Sequence, residues 1–327
     1  MNEFLASVLS GINSVIGNYG WSMVVFTILI KALLIPMDYK SRKSMRRMSA
    51  LAPQTAKLQK KYANDKEKLN QKTAELYRKE KINPMSGCVP MLISMPILFI
   101  MFAAMRIIAN TELAKQAIDL LVTGVPTNEG WLWVKNIWMP DSPFNAVIAD
   151  AANLRLIPAD IWAKVFTALQ PDQIAKLATL NLNAATINGE AVFAALQNLP
   201  NYAQETALWG VMPSVNLIFF NLKIYANNNG WFILPILAAV TQFLMTITQP
   251  QPAATPDANG QQAGMSKMMK YFFPLFSLYI CSSYNAAFSL YWVVSNVFAW
   301  VEGIVLNKMF DAKEAAAEMS IGEGTLK

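Results

Sequence analysis

The sequence predicts an all-α membrane protein with five transmembrane helices, a cytoplasmic helical hairpin and a small helical outer insert. Three observations predict it. The 327 residues are 54% hydrophobic and only 15% charged, whereas soluble domains run nearer 25% charged. Several apolar runs approach the roughly 20 residues that a helix needs to cross a bilayer. Charge is also unevenly spread: residues 38–86 carry 14 Lys and Arg against 5 Asp and Glu, and residues 110–229 carry 6 against 9. Lys and Arg accumulate on the cytoplasmic side of membranes, so the first region is expected inside and the second outside.

Residues 1–17 place Phe4, Leu5, Val8, Leu9, Ile12, Val15 and Ile16 on one stripe, the pattern of an amphipathic helix lying in the membrane surface. Glu3, the lack of an early Lys or Arg and the lack of a small-residue cleavage site argue against a cleaved leader. The first span is expected over 18–37, delivering the chain to the basic side. The hairpin, 38–86, reads as two charged helices. Pro53 breaks the first, Asn64-Asp65 is a turn signal, and Leu69 and Leu76 give the second (66–82) a thin apolar seam.

The second span is expected over 87–109 and holds Pro90 and Pro96, tolerated in membranes where neighbours or water re-satisfy the freed carbonyls. Residues 110–229 form the outer insert, Ala-rich with short amphipathic runs. Its Trp-rich stretch 131–143 fits an interfacial belt, and 211–225 reads as an interfacial segment, the alternative being a sixth span. The third span is placed at 230–248 and a Pro-rich cytoplasmic loop at 249–266. A short fourth span (267–281), a fifth (285–306) and a cytoplasmic tail (307–327) complete the chain. An odd number of spans puts the N terminus outside and the C terminus inside, in agreement with the charge counts.

There is no His, which excludes His-based acid/base chemistry and His metal sites. Cys88 and Cys281 fall in apolar runs with no CxxC and read as small core residues. No nucleophile–base constellation, phosphate loop or metal spacing is present, so neither an enzyme nor a cofactor is expected. The chemistry available is polar groups at membrane depth. Lys31 lies inside the first span, with Thr27 four residues before it on the same helix face. An ammonium there costs roughly 2.5–3.5 kcal/mol on insertion scales and normally faces a protein interior or a wet cavity. The competing reading is that it snorkels to the cytoplasmic surface. Ser94, Gln242, Tyr291, Ser295 and Asn296 join Thr27 and Lys31 at that depth. Singly, such residues commonly bond between helices; as a set around one cation they suggest a hydrated cavity. The basic hairpin is a solvated helix pair or a surface for anionic lipid, RNA or acidic chain.

Four stretches carry a resemblance: GWSMVVFTILIKALLIPM (20–37), the hairpin running into NPMSGCVPMLISMPI (48–97), ILPILAAVTQFL (233–244) and SLYWVVSNVFAWVE (289–302). They resemble the YidC-type membrane protein insertases, bacterial relatives of the mitochondrial Oxa insertases. The resemblance implies five transmembrane helices around a hydrophilic groove that opens to cytoplasm and lipid in the bacterial plasma membrane. It implies nascent membrane proteins as substrates, a Sec translocon and the ribosome as further partners, contact with anionic lipids, and action as a monomer. Lys31 matches the groove position that usually holds Arg, Thr27 a polar groove position one turn away, and Trp292 an aromatic position along which substrate slides. The insert at 110–229 is longer than the family usually has there, and the tail lacks a long basic run. The alternatives are a small-solute transporter or channel subunit with Lys31 as anion site, and a scaffold in which Lys31 pairs with Glu302.

Overall fold

The structure, a computed structural model, describes residues 2–81, 89–210, 215–217, 220–249 and 261–324, with side chains for 3–81, 96–210, 223–249 and 270–316. The side chains of Ser94 and Cys88, most of the expected interfacial segment 211–225 and most of the loop 249–266 lie outside that description. Contacts divide the chain into two compact units. The first comprises Met1–Phe26, Phe99–Ala238 and Leu278–Trp292; the second comprises Thr27–Leu98, Ala239–Ser277 and Val293–Lys327.

In the first unit, α1 (Asn2–Ile16) buries Leu9 and leaves Phe4 and Val15 exposed. It stops at Gly17, whose positive φ of 76° lets its N–H fold back to the Asn13 carbonyl at 2.7 Å. Asn18 then opens α2 (Tyr19–Ala50), its Oδ1 accepting from the Trp21 N–H at 3.2 Å. Helix α5 (Val89–Thr123) runs well past the expected end of the second span. No Gly or Pro interrupts residues 97–123, and Ala114, Ala117, Ile118 and Leu121 keep a buried stripe at helical spacing. Residues 110–123 of the expected insert are therefore a continuation of the span.

The rest of that region is folded around its own core. Short helices α6 (Ala151–Arg155), α7 (Ala159–Thr167), α8 (Pro171–Thr179), α9 (Gly189–Leu196) and α10 (Pro200–Glu205) surround Leu154, Trp162, Leu177 and Val192, all fully buried. Two three-residue strands, β1 (Val215–Leu217) and β2 (Phe220–Leu222), pair antiparallel, a small departure from the all-helical expectation.

The segment 136–141 holds the starts of two helices. The buried Asp141 carboxylate accepts from the Trp231 N–H (2.9 Å), the Leu234 N–H (2.7 Å) and the Trp133 indole N–H (3.0 Å), which settles the first turn of α11 (Ile233–Thr248). Gly230 is required beside it, because a Cβ there would collide with Asp141 Oδ1. The Asn229 amide donates to the carbonyls of Asn136, Met139 and Pro140 at 2.8–3.0 Å and accepts from the Asn136 N–H at 2.7 Å. The carbonyls of Met139 and Ile137 in turn accept from the Ala286 and Ala287 N–H groups, each at 2.9 Å, at the start of α13 (Ala286–Gly324).

In the second unit, α2 continues through Pro36 to Ala50, so the first span and the first arm of the hairpin are one rod. At 1.5 Å per residue its 32 residues reach roughly 48 Å, beyond the ~30 Å hydrocarbon layer. The break comes at Leu51, and Pro53 sits in the first turn of α3 (Ala52–Lys61), where its missing N–H costs nothing. Asp65 caps α4 (Lys66–Lys79) by accepting from the Lys68 N–H at 3.0 Å. Met48, Leu51 and Tyr77 form the hairpin core, with Ala52 and Leu76 against it. The hairpin is thus seated on the end of α2.

Helix α12 (Gln261–Ser283) exposes Tyr271, Phe272, Leu275 and Tyr279, and Cys281 is buried. Helix α13 passes its expected end at Leu306 and stays helical to Gly324. The reason is a second seam with α2: Arg46 pairs with Asp311 and, at 3.5 Å, with Glu314, and it lies 5.5 Å from the centre of the Phe310 ring, which packs on Tyr39 at 5.1 Å. Among the described residues, Tyr19–Ala50, Pro96–Thr123 and Ala286–Ala316 are long and apolar enough to cross a membrane, and Ile233–Thr248 is a shorter apolar helix. The protein is a multi-pass membrane protein.

Candidate functional site

Helix α2 carries a polar line on an apolar rod. Thr27, Lys31, Asp38 and Arg42 fall within about 60° of one another at 100° per residue. On the opposite side Val25, Leu29 and Leu33 are exposed, as a lipid-facing surface requires. Thr27 is fully buried, Lys31 and Asp38 are half-buried, and Arg42 is 8% exposed.

Within the same unit α13 and α11 supply further polar groups. Asn296 donates to Thr241 Oγ1 at 3.5 Å, and Asn307 donates to the Thr248 carbonyl at 3.1 Å. Gln242 is buried, its carbonyl accepting from the Thr246 hydroxyl at 2.8 Å. Ser295 is half-buried. Arg42 crosses to α13, where its Nη2 donates to the Ala299 carbonyl at 3.4 Å. Gly303 leaves room for it: a Cβ there would lie 3.2 Å from Arg42 Nη1 and 3.2 Å from Thr248 Oγ1. Glu302, next in the chain, is 9% exposed.

Lys31 is therefore not the lone cation that the sequence suggested. The charges of Asp38 and Glu302 both act on it, and both also act on Arg42. The four side chains carry two positive and two negative formal charges. Even so, the ion pairs made among the described residues (Arg46 with Asp311 and Glu314, Lys72–Glu75, Lys115–Glu112 and Arg155–Glu190) include none of the four. Arg42 Nη1 and Glu302 Oε1 are buried without a hydrogen-bond partner among the described residues. Buried charge left without a direct partner is costly, so such an arrangement suits a place that water or a visiting polar group enters.

Of the expected site residues, Thr27, Lys31, Gln242, Ser295 and Asn296 belong to the second unit. Tyr291 and Trp292 belong to the first, where both rings pack on Phe288, at 6.5 and 5.6 Å. Asp38 and Arg42 were missed because they counted as part of the basic hairpin. Their spacing of seven and eleven residues from Lys31 was the available signal, since both intervals return to the same helix face.

Residues 11–188 and 190–314 match the family described as 60Kd inner membrane protein. The chain belongs to that family. The resemblance to the YidC-type insertases read from the four sequence stretches agrees with this assignment. The Membrane protein insertase YidC of Fusobacterium nucleatum is 47% identical over 106 residues, 32% of this chain and 52% of that protein. The protein of the same name from Pseudomonas fluorescens is 26% identical over 310 residues, covering 95% of this chain and 36% of its own length. That from Pseudomonas entomophila is 45% identical over 95 residues, 29% of this chain and 17% of its own. These matches span about half the length, or less, of the curated relatives. The chain is thus a multi-pass protein of a bacterial inner-membrane family.

Proposed function

We propose that the chain is a membrane protein insertase and chaperone. Helices α2, α5, α11, α12 and α13 cross the membrane, with the N terminus and the 110–229 insert outside and the hairpin and C terminus in the cytoplasm. The polar face bearing Thr27, Lys31, Gln242, Ser295 and Asn296, together with Ser94, lines a groove open to cytoplasm and lipid. Lys31 draws in the hydrophilic segment of a nascent membrane protein. Water in the groove lowers the desolvation cost that this segment would meet in hydrocarbon. The substrate's apolar helix then passes along the Tyr291 and Trp292 side of α13 into lipid, at about 0.8 kcal/mol gained per buried methylene, which drives the step without an external energy source. Nascent chains are the partners, and the Sec translocon, the ribosome and anionic lipids are further ones. The protein acts as a monomer.

What supports this reading is the family match over nearly the whole chain in a protein whose first long helix carries a cation on a polar face. The experiment is reconstitution of the full chain in proteoliposomes with a single-span substrate bearing an acidic translocated tail. Lys31→Ala is expected to abolish insertion and Lys31→Arg to retain it. Full insertion by the Ala variant would remove Lys31 from the mechanism.

A further inference from the structure

The charges around Lys31 bear on what the site selects. On α2, Arg42 lies eleven residues beyond Lys31, three turns along nearly the same face. It is an arginine more than nine-tenths buried, with Nη2 held weakly by a carbonyl and Nη1 unpartnered among the described residues. Facing it on α13, Glu302 is equally buried and has an unpartnered Oε1. The two charges sense each other but make no ion pair. Gly303 keeps α13 bare of a side chain where the guanidinium lies. A pair that served only to lock α2 to α13 would close, because breaking a buried pair is worth several kcal/mol of stability. Here donor and acceptor are both left open; Glu302 is within electrostatic reach of Lys31 and Asp38, and Arg42 of Asp38.

An open guanidinium fork is suited to a carboxylate, which it binds with two parallel hydrogen bonds where an ammonium offers a point charge. A carboxylate arriving at Arg42 meets a cation already partly neutralised by two resident acids, Asp38 and Glu302. We propose that Arg42 and Glu302 set the charge selectivity of the site: Arg42 is a second cation that binds an acidic side chain of the passing substrate, and Glu302 is the nearby acid whose charge opposes that side chain. This rests on the insertase reading and adds to it. Selectivity is set by the balance of the four charges, not by Lys31 alone. Glu302 weakens the hold on acidic segments, and it therefore also lets them leave.

The charge balance gives the test a direction. Full-length wild type and the variants Glu302→Gln, Arg42→Gln and Asp38→Asn are reconstituted in proteoliposomes. Two single-span substrates, identical except for an acidic or a neutral translocated tail, are inserted by each, and the acidic-to-neutral ratio is read. Glu302→Gln is expected to raise that ratio and Arg42→Gln to lower it, each by about fivefold, the scale of one unit charge acting through a partly hydrated interior. Asp38→Asn, at a half-buried position, shifts the ratio the same way as Glu302→Gln and carries the test if either buried-site variant fails to assemble. A general structural defect lowers both substrates together and leaves the ratio unmoved, so an unchanged ratio in assembled Asp38→Asn and Glu302→Gln protein overturns the proposal. Failure of wild type to insert either substrate would instead overturn the insertase reading.

Discussion

Two buried polar clusters in this chain are built on opposite principles. Around Asp141 and Asn229 the carboxylate and amide are saturated: Asp141 accepts from two backbone N–H groups and an indole N–H, and Asn229 makes four hydrogen bonds to segment 136–140. Around Arg42 and Glu302, charged atoms are as deeply buried but stand open. The first unit also buries unpartnered atoms, the indole N–H groups of Trp131, Trp138 and Trp162, but those are neutral and cost far less than a stranded charge. Saturation is what a fixed joint needs, since each missing bond in a buried network is destabilising. Unsatisfied charge is tolerated where function requires a group that can change partners. The contrast separates a saturated cluster that holds helix ends from an open one whose charges are left to be paired.

Mutation can break this contrast, and the largest effect belongs to the saturated cluster. Asp141→Ala strands two backbone donors and an indole at the head of α11. At 1–3 kcal/mol per orphaned group it is expected to cost about 3–5 kcal/mol, seen as a large fall in thermal stability of the detergent-solubilised protein. A near-normal melting temperature would mean the network is dispensable. Deleting residues 66–82 comes next. It removes Leu76 and Tyr77 from the hairpin core while leaving Met48 and Leu51 on α2. The protein is expected to reach the membrane but to insert substrates poorly, whereas loss from the membrane would make the hairpin a folding element.

Gly303→Ala sharpens the comparison at the open cluster. The new methyl meets the flexible Arg42 terminus at 3.2 Å, so stability should fall by only about 1 kcal/mol. The displaced guanidinium should lower the acidic-to-neutral insertion ratio. A stability loss as large as that of Asp141→Ala would place the α2–α13 contact in the structural class. Arg46→Ala is the smallest change. Its partners Asp311 and Glu314 are well exposed, and such pairs contribute about 0–1 kcal/mol, so neither melting nor insertion should move much.

The largely helical, membrane-spanning character was legible because hydropathy acts over long windows. Turn chemistry marked Asn64-Asp65 correctly, since an Asp cap is a local signal. Helix ends were harder. Three long helices outran their expected limits because nothing local stops them: residues 38–50, 97–123 and 307–323 contain no Pro, and their only glycine is Gly322. Continuation beyond the apolar stretch then depends on tertiary seams such as the packing of Phe310 on Tyr39. The Lys31 site was half legible. A cation in an apolar run announces itself, and Glu302 stood out as a candidate counter-charge, but the place of Arg42 beside the bare Gly303 is set by which helices meet. The roles of Asp141 and Asn229 were hidden for the same reason, as their partners lie about 90 residues apart in sequence.

The most direct check on a wet, substrate-facing cation is photocrosslinking from positions 27 and 31 of the full-length protein to a stalled nascent membrane protein. Adducts with the hydrophilic segment of the nascent chain from both positions are the predicted result. Crosslinks from position 31 to lipid alone would contradict the account.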